Sequence, residues 1–227
     1  MTQLDPELLA HSTPLTELLG HPLPAGTLWI SHPLFNEVLP VPVRPGEEGR
    51  ANLALAKARE RLAEIEKGEA WEEAIFEHAP EYRLAAFLRY AEKLTDEEYW
   101  RLASVVWASY TFTSFVQLQD WISVLGSSRP GRSAMMSEHE RAELGKLPVV
   151  VRVFRGFDHP NGQRGYSWTL SREVAWRFAR DGINGGAQMV AEGEIDRDAI
   201  IALLLRNGEA EVVANIDHVR IVDISST

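Results

Sequence analysis

Three short segments of the 227-residue chain carry side chains whose types and spacing could do chemistry. In Val153-Phe-Arg155-Gly156 an arginine closes an apolar run. A guanidinium is costly to bury without an anion, and its planar fork suits phosphate. In Gly165-Tyr-Ser-Trp-Thr169, period-two alternation puts Tyr166 and Trp168 on one face and the hydroxyls of Ser167 and Thr169 on the other. In Gly208-Glu-Ala-Glu211, two carboxylates at i and i+2 precede an apolar run, and in an extended segment they point to the same side. Such a pair repels itself, so one pKa rises unless a cation or a substrate lies between them. It suits the stabilisation of a developing cation and the acceptance of a proton. Taken singly, each segment also has a plainer reading: a strand-end arginine, a pair of core aromatics, a solvated edge strand.

Other chemistries are excluded or left without support. The chain contains no cysteine, which removes disulfides, thiolate metal sites and thiol nucleophiles. No GxGxxG, GxxxxGK[ST] or GxSxG run occurs. The seven histidines never fall at metal-ligand spacing with a carboxylate, so no metal is expected. A net charge of −10 argues against duplex DNA, which requires a cationic face. Composition is that of an ordinary globular protein, with 45% hydrophobic and 25% charged residues. No run approaches the ~18 apolar residues of a membrane span, and residues 1–20 lack a basic leader pattern. The expected location is therefore cytoplasmic, in the chain's own cell or in a host into which it is delivered.

The elements that must position the three segments fall into three stretches. Residues 1–46 hold eight prolines and predict short turns and extended pieces packed on the body. Residues 47–146 predict helices, the first with Leu53, Ala56, Leu62 and Ile65 as its apolar positions, the second over 71–93 with a break near Pro80. A third is expected to start at a capping box, Thr95-Asp-Glu-Glu98, and to run through Trp100, Trp107, Phe112, Phe115 and Trp121 to Leu125, with these aromatics as core. Ser137-Glu-His-Glu140 predicts another capped helix that ends before Pro148. Residues 147–227 predict a β-rich module: strands at 149–154, 188–195, 200–205, 211–214 and 219–224, and a helix capped by Ser171 with Ala175, Phe178 and Ala179 facing the core. The acid excess belongs to the helical part, with 14 basic against 22 acidic residues up to Lys146 and 9 against 11 beyond it.

Taken in order, Arg155-Gly156, Ser167-Trp-Thr169 and Glu209-Ala-Glu211 resemble the signature of the ADP-ribosyltransferase superfamily, in its arginine–serine–glutamate branch. The resemblance covers about residues 149–225. It implies an α+β fold in which an N-terminal helical region precedes a small split β-sandwich. It also implies NAD as the substrate and residue roles as follows. Arg155 holds a phosphate or ribose of NAD and braces the site, with Gly156 beside it. Ser167 positions the catalytic Glu211, with Thr169 next to it. Glu211 stabilises the oxocarbenium-like transition state as nicotinamide leaves, and Glu209 orients or deprotonates the acceptor. Tyr166 or Trp168 packs near the nicotinamide ring. The middle motif departs from the usual Ser-Thr-Ser in reading Ser-Trp-Thr.

The resemblance therefore implies a mono-ADP-ribosyltransferase acting on a protein side chain, arginine favoured, as a toxin, an effector or a phage-encoded modifier. Two alternatives stand beside it. One is an NAD glycohydrolase or a transferase acting on nucleic acid or a small molecule. The other is a binding or assembly protein that keeps the fold without turnover.

Overall fold

A computed structural model describes residues 3–18, 21–23, 25–42, 47–109, 115–182 and 185–226. The chain divides into two units, the first made of Met1–Thr95 with Leu102–Ser127, the second of Asp96–Arg101 with Ser128–Thr227.

In the first unit the proline-rich start folds into regular pieces. Helix α1 (Pro6–Ala10) opens with proline at its first position and Asp5 as its cap, the carboxylate accepting from the Glu7 amide at 2.9 Å. Strands β1 (Ser12–Pro14), β4 (Thr27–Ile30) and β5 (Leu39–Pro42) form an antiparallel sheet in the order β1-β4-β5, beside a small hairpin of β2 (Glu17–Leu18) and β3 (His21–Pro22). The prolines Pro14, Pro40 and Pro42 lie in the two edge strands, and central β4 has none, as the missing amide requires. Leu4, Leu8, Ile30 and Val41 share a core with Ala51 and Leu55 of α2 (Glu47–Lys67).

The buried face of α2 is Glu48, Ala51, Leu55 and Leu62; of the expected positions Leu62 is buried and Ile65 half-buried, while Ala56 is exposed and Leu53 is 57% exposed. Two residues along a helix from Ala51 means a rotation of about 200°, which turns Leu53 away from the packed side. Helices α3 (Trp71–Phe76) and α4 (Arg83–Tyr90) follow, separated by a 3-10 turn at Pro80–Tyr82. The expected long helix over 95–125 is two helices, α5 (Asp96–Ala108) and α6 (Phe115–Leu125). At the end of α5 the Ser109 hydroxyl bonds back to the Val106 carbonyl at 3.0 Å, and residues 110–114 lie outside the described residues. Phe112 lies outside the described residues, as does the side chain of Phe115. Trp107 and Trp121 meet edge to face at 4.8 Å in the first unit, whereas Trp100 belongs to the second.

In the second unit the Trp100 indole donates to the carbonyls of Arg129 and Pro130. Helix α7 (Glu138–Lys146) carries the capping box read from sequence, between Ser137 and Glu140. Glu140 is buried and its second oxygen accepts from the Leu205 amide at 2.8 Å. Its burial alone would raise the pKa, but the Ser137 and Leu205 amides and Arg206 hold it below the usual value. Arg197 donates to the carbonyls of Gly145 and Leu147. These bonds place residues 137–147 with the β module, so the boundary expected at 146 falls inside a unit.

The remaining strands are β6 (Val150–Phe157), β7 (Ser167–Thr169), β8 (Met189–Asp196), β9 (Ala202–Leu204), β10 (Glu211–Val213) and β11 (Arg220–Ser226), with α8 (Arg172–Arg180) after β7. They form one antiparallel sheet in the order β11-β8-β6-β7-β10-β9. β6 pairs with β8 along its whole length but with β7 through a single residue pair, Phe154 with Thr169. The sheet is thus two three-stranded halves joined at one point. Helix α8 covers β6, burying Ala175 and Ala179; Phe178, expected in the core, is 47% exposed, and Trp176 packs inward instead.

Candidate functional site

The three chemistry-bearing segments meet at the seam of the six-stranded sheet. Strand β6 runs three residues beyond its expected end, so Arg155 lies inside it, opposite Ala191 of β8. Gly156 follows for a packing reason. A Cβ there would lie 1.8 Å from the Ala175 carbonyl oxygen and 2.7 Å from the Ala179 nitrogen, so only glycine lets α8 approach the strand. This geometry gives Gly156 a structural role in packing α8 on β6.

The Arg155 side chain is a strut. Its Nε donates to the Gly162 carbonyl at 2.6 Å and its Nη1 to the Ser167 carbonyl at 2.5 Å. Gly165 lies against the guanidinium so closely that a Cβ would stand 2.3 Å from Cζ. Burial lowers the Arg155 pKa from 12.5 to about 10, with the Glu211 charge pulling the other way. Arg155 therefore stays a cation at neutral pH, held by two carbonyl dipoles and the field of one carboxylate.

Strand β7 is paired with β10 so that Val213 faces Ser167 and Glu211 faces Thr169. Ser167 and Glu211 are thus diagonal neighbours on one face, a separation that a glutamate side chain spans. The Ser167 hydroxyl donates to Glu211 Oε1 at 2.5 Å, the length of a charge-assisted O–H···O⁻ bond. Both residues are half-buried.

Thr169 is 4% exposed, and its hydroxyl donates to the Glu209 carbonyl at 2.5 Å while accepting from the Ser171 amide at 3.1 Å. It clamps the loop before β10 to the start of α8, a role inside the protein rather than the ligand contact expected of it. Trp168 is 2% exposed, its indole bonded to the Gly165 carbonyl, so it is core and not lining. Tyr166 is buried beside it, its hydroxyl pushed up in pKa by burial and by the Asp217 charge.

Glu209 differs from expectation. Asn207, Gly208 and Ala210 all have positive φ, so the chain from 207 to 210 is a tight turn and not an extended segment. Strand alternation therefore does not relate Glu209 to Glu211. Each carboxylate has its own cation: Glu211 feels Arg155, and Glu209 accepts from Arg177 Nη2 at 3.4 Å. Sequence reasoning missed Arg177, because a basic residue on the outer face of a short helix carries no distinguishing pattern. It also missed the carbonyls of Gly162 and Ser167, since backbone acceptors leave no trace in residue type.

Among the described residues, no cluster of three or more histidine, aspartate or glutamate side chains is placed to hold a metal ion, and no helix is long and apolar enough to cross a membrane. Comparison of the chain with protein-family models, with curated proteins and with solved structures gives no match.

Proposed function

We propose that the chain is an NAD-dependent mono-ADP-ribosyltransferase, its sheet a split β-sandwich of that superfamily's type, acting on a protein side chain with arginine favoured. The observation that carries this reading is the 2.5 Å bond from Ser167 to a half-buried Glu211, with the Ser167 backbone held by Arg155 from the neighbouring strand. In the proposed reaction the bond from the ribose C1′ to the nicotinamide nitrogen breaks, and its electron pair leaves with neutral nicotinamide. The Glu211 carboxylate, held in place by Ser167, stabilises the positive charge that develops on the ribose. The acceptor nitrogen forms the new bond to C1′ and gives up a proton to Glu209. Arg155 holds the Ser167 and Gly162 carbonyls and supplies a buried positive charge suited to a phosphate.

The test is nicotinamide release from NAD by the purified protein, compared with Glu211→Gln and Glu209→Ala. The reading expects release lost in the first variant, and in the second release kept but transfer to protein lost. No release by the unaltered protein, with no NAD binding by calorimetry, would sink it. NAD hydrolysis stands as a second reading for one reason: Glu209 is already engaged by Arg177.

A further inference from the structure

The surroundings of Arg177 describe what the acceptor carboxylate is built to hold. Its guanidinium bonds to Glu209 at 3.4 Å and lies 5.5 Å from the centre of the Phe178 ring. A carboxylate combined with an aromatic face is a favourable environment for a guanidinium, through a charged hydrogen bond on one side and the ring's negative face on the other. Phe178 is 47% exposed at a position where the helix pattern asked for a core residue. Arg177 and Glu209 are about half and one-third exposed, so an incoming group can reach the pair.

The pair is also held in place from below. Thr169 bonds both the Glu209 carbonyl and the amide that begins α8, and the Leu170 amide donates to the Ala210 carbonyl at 3.1 Å. Loop and helix are therefore kept in register.

Resting on the transferase reading, we infer that Arg177 is an internal stand-in for the acceptor. It occupies a guanidinium site made by Glu209 and Phe178, and an arginine acceptor must displace it before transfer. With Arg177 in place one oxygen of Glu209 is engaged and the carboxylate is a weaker acceptor for the incoming proton, so water competes for the ribosyl cation. Displacement frees Glu209, the acceptor nitrogen forms the bond to C1′, and its proton passes to Glu209. Arg177 is thus a specificity-determining residue, one that excludes weakly bound acceptors.

The experiment uses the full chain, NAD and agmatine as a small free guanidine, and reads transfer to agmatine relative to total nicotinamide released. In Arg177→Gln this ratio is expected to rise about two- to five-fold, because an exposed ion pair of this kind is weak. Arg177→Lys keeps a cation opposite Glu209 and stays near the unaltered ratio. Phe178→Ala loses the aromatic face and raises the agmatine KM a few-fold with the NAD KM little changed. An unchanged or lower ratio in Arg177→Gln, with nicotinamide release still dependent on Glu211, overturns the inference and leaves the transferase reading standing. No nicotinamide release by any form overturns both.

Discussion

Each unit contains a polar cluster that joins distant stretches of chain, and the two differ in what is buried at the centre: an imidazole whose pKa burial lowers in one, a guanidinium in the other. In the first unit the His32 side chain is fully buried. Its Nδ1 accepts from the Leu34 amide at 3.1 Å, which puts the ring proton on Nε2, donated to Glu7 at 2.9 Å. Glu7 in turn bonds Arg59, which also reaches Asp5, and Asp5 caps α1. Every link ends on another part of the fold. In the second unit the bonds from Arg155 through Ser167 lead to the half-buried carboxylate of Glu211. The first cluster ties α1, His32 and α2 together. The second braces a half-buried carboxylate, an arrangement suited to act on something that arrives.

The sharpest way to break this contrast is to remove one bonding group from each cluster. Glu211→Gln keeps an acceptor for the Ser167 hydroxyl and loses the charge, so nicotinamide release is expected to fall by about 10²–10³-fold with little change in thermal midpoint. His32→Leu leaves the Leu34 amide and Glu7 without their partner, and should cost about 1–3 kcal/mol in urea unfolding while release per folded molecule stays the same. A large activity loss in the second variant, or a large stability loss in the first, would erase the distinction.

Thr169→Val sits between these extremes. It removes one donated and one accepted bond in a buried place, and is expected to cost about 1–2 kcal/mol and to lower transfer more than hydrolysis, because the Glu209 loop is no longer tied to α8. The smallest effect is one of pH. Burial depresses the pKa of His32, and likewise that of His78, whose Nδ1 bonds the Ala74 carbonyl. Below the ordinary value of 6.5 the unfolded chain binds protons that the folded chain does not, so stability is full above pH 6.5 and declines as pH falls through it. His32→Gln should flatten the fall in thermal midpoint between pH 7 and 5, and an unchanged slope would mean that His32 titrates alike in both states.

Much of the second unit could be read from residues alone. The Ser171 cap, the Ser137–Glu140 box and the strands around Arg155, Ser167 and Glu211 all carry local patterns: a hydroxyl before a helix, or β-branched runs between turns. What escaped were features that depend on three-dimensional proximity. Leu53 and Phe178 are apolar yet exposed, since single exposed apolar residues break no local rule. The left-handed φ of Ala210 hid the turn that separates Glu209 from Glu211, because alanine gives no hint of it. Gly156 looked like part of a motif, and only the position of the Ala175 carbonyl reveals why a side chain cannot stand there.

The order of strands in the six-stranded sheet also sets a timetable. Arg155 and Ser167 are 12 residues apart, but Ser167 and Glu211 are separated by 44, with α8, β8 and β9 between them. A contact so distant along the chain forms after the local ones, because the intervening loop must be ordered first. During synthesis from the N-terminus, the helical unit and β6 to β9 can all emerge before β10 does. A nascent or truncated chain that stops short of Glu211 therefore holds the arginine and the serine without the carboxylate to which Ser167 donates, and the three-residue chain of bonds closes only once β10 is added.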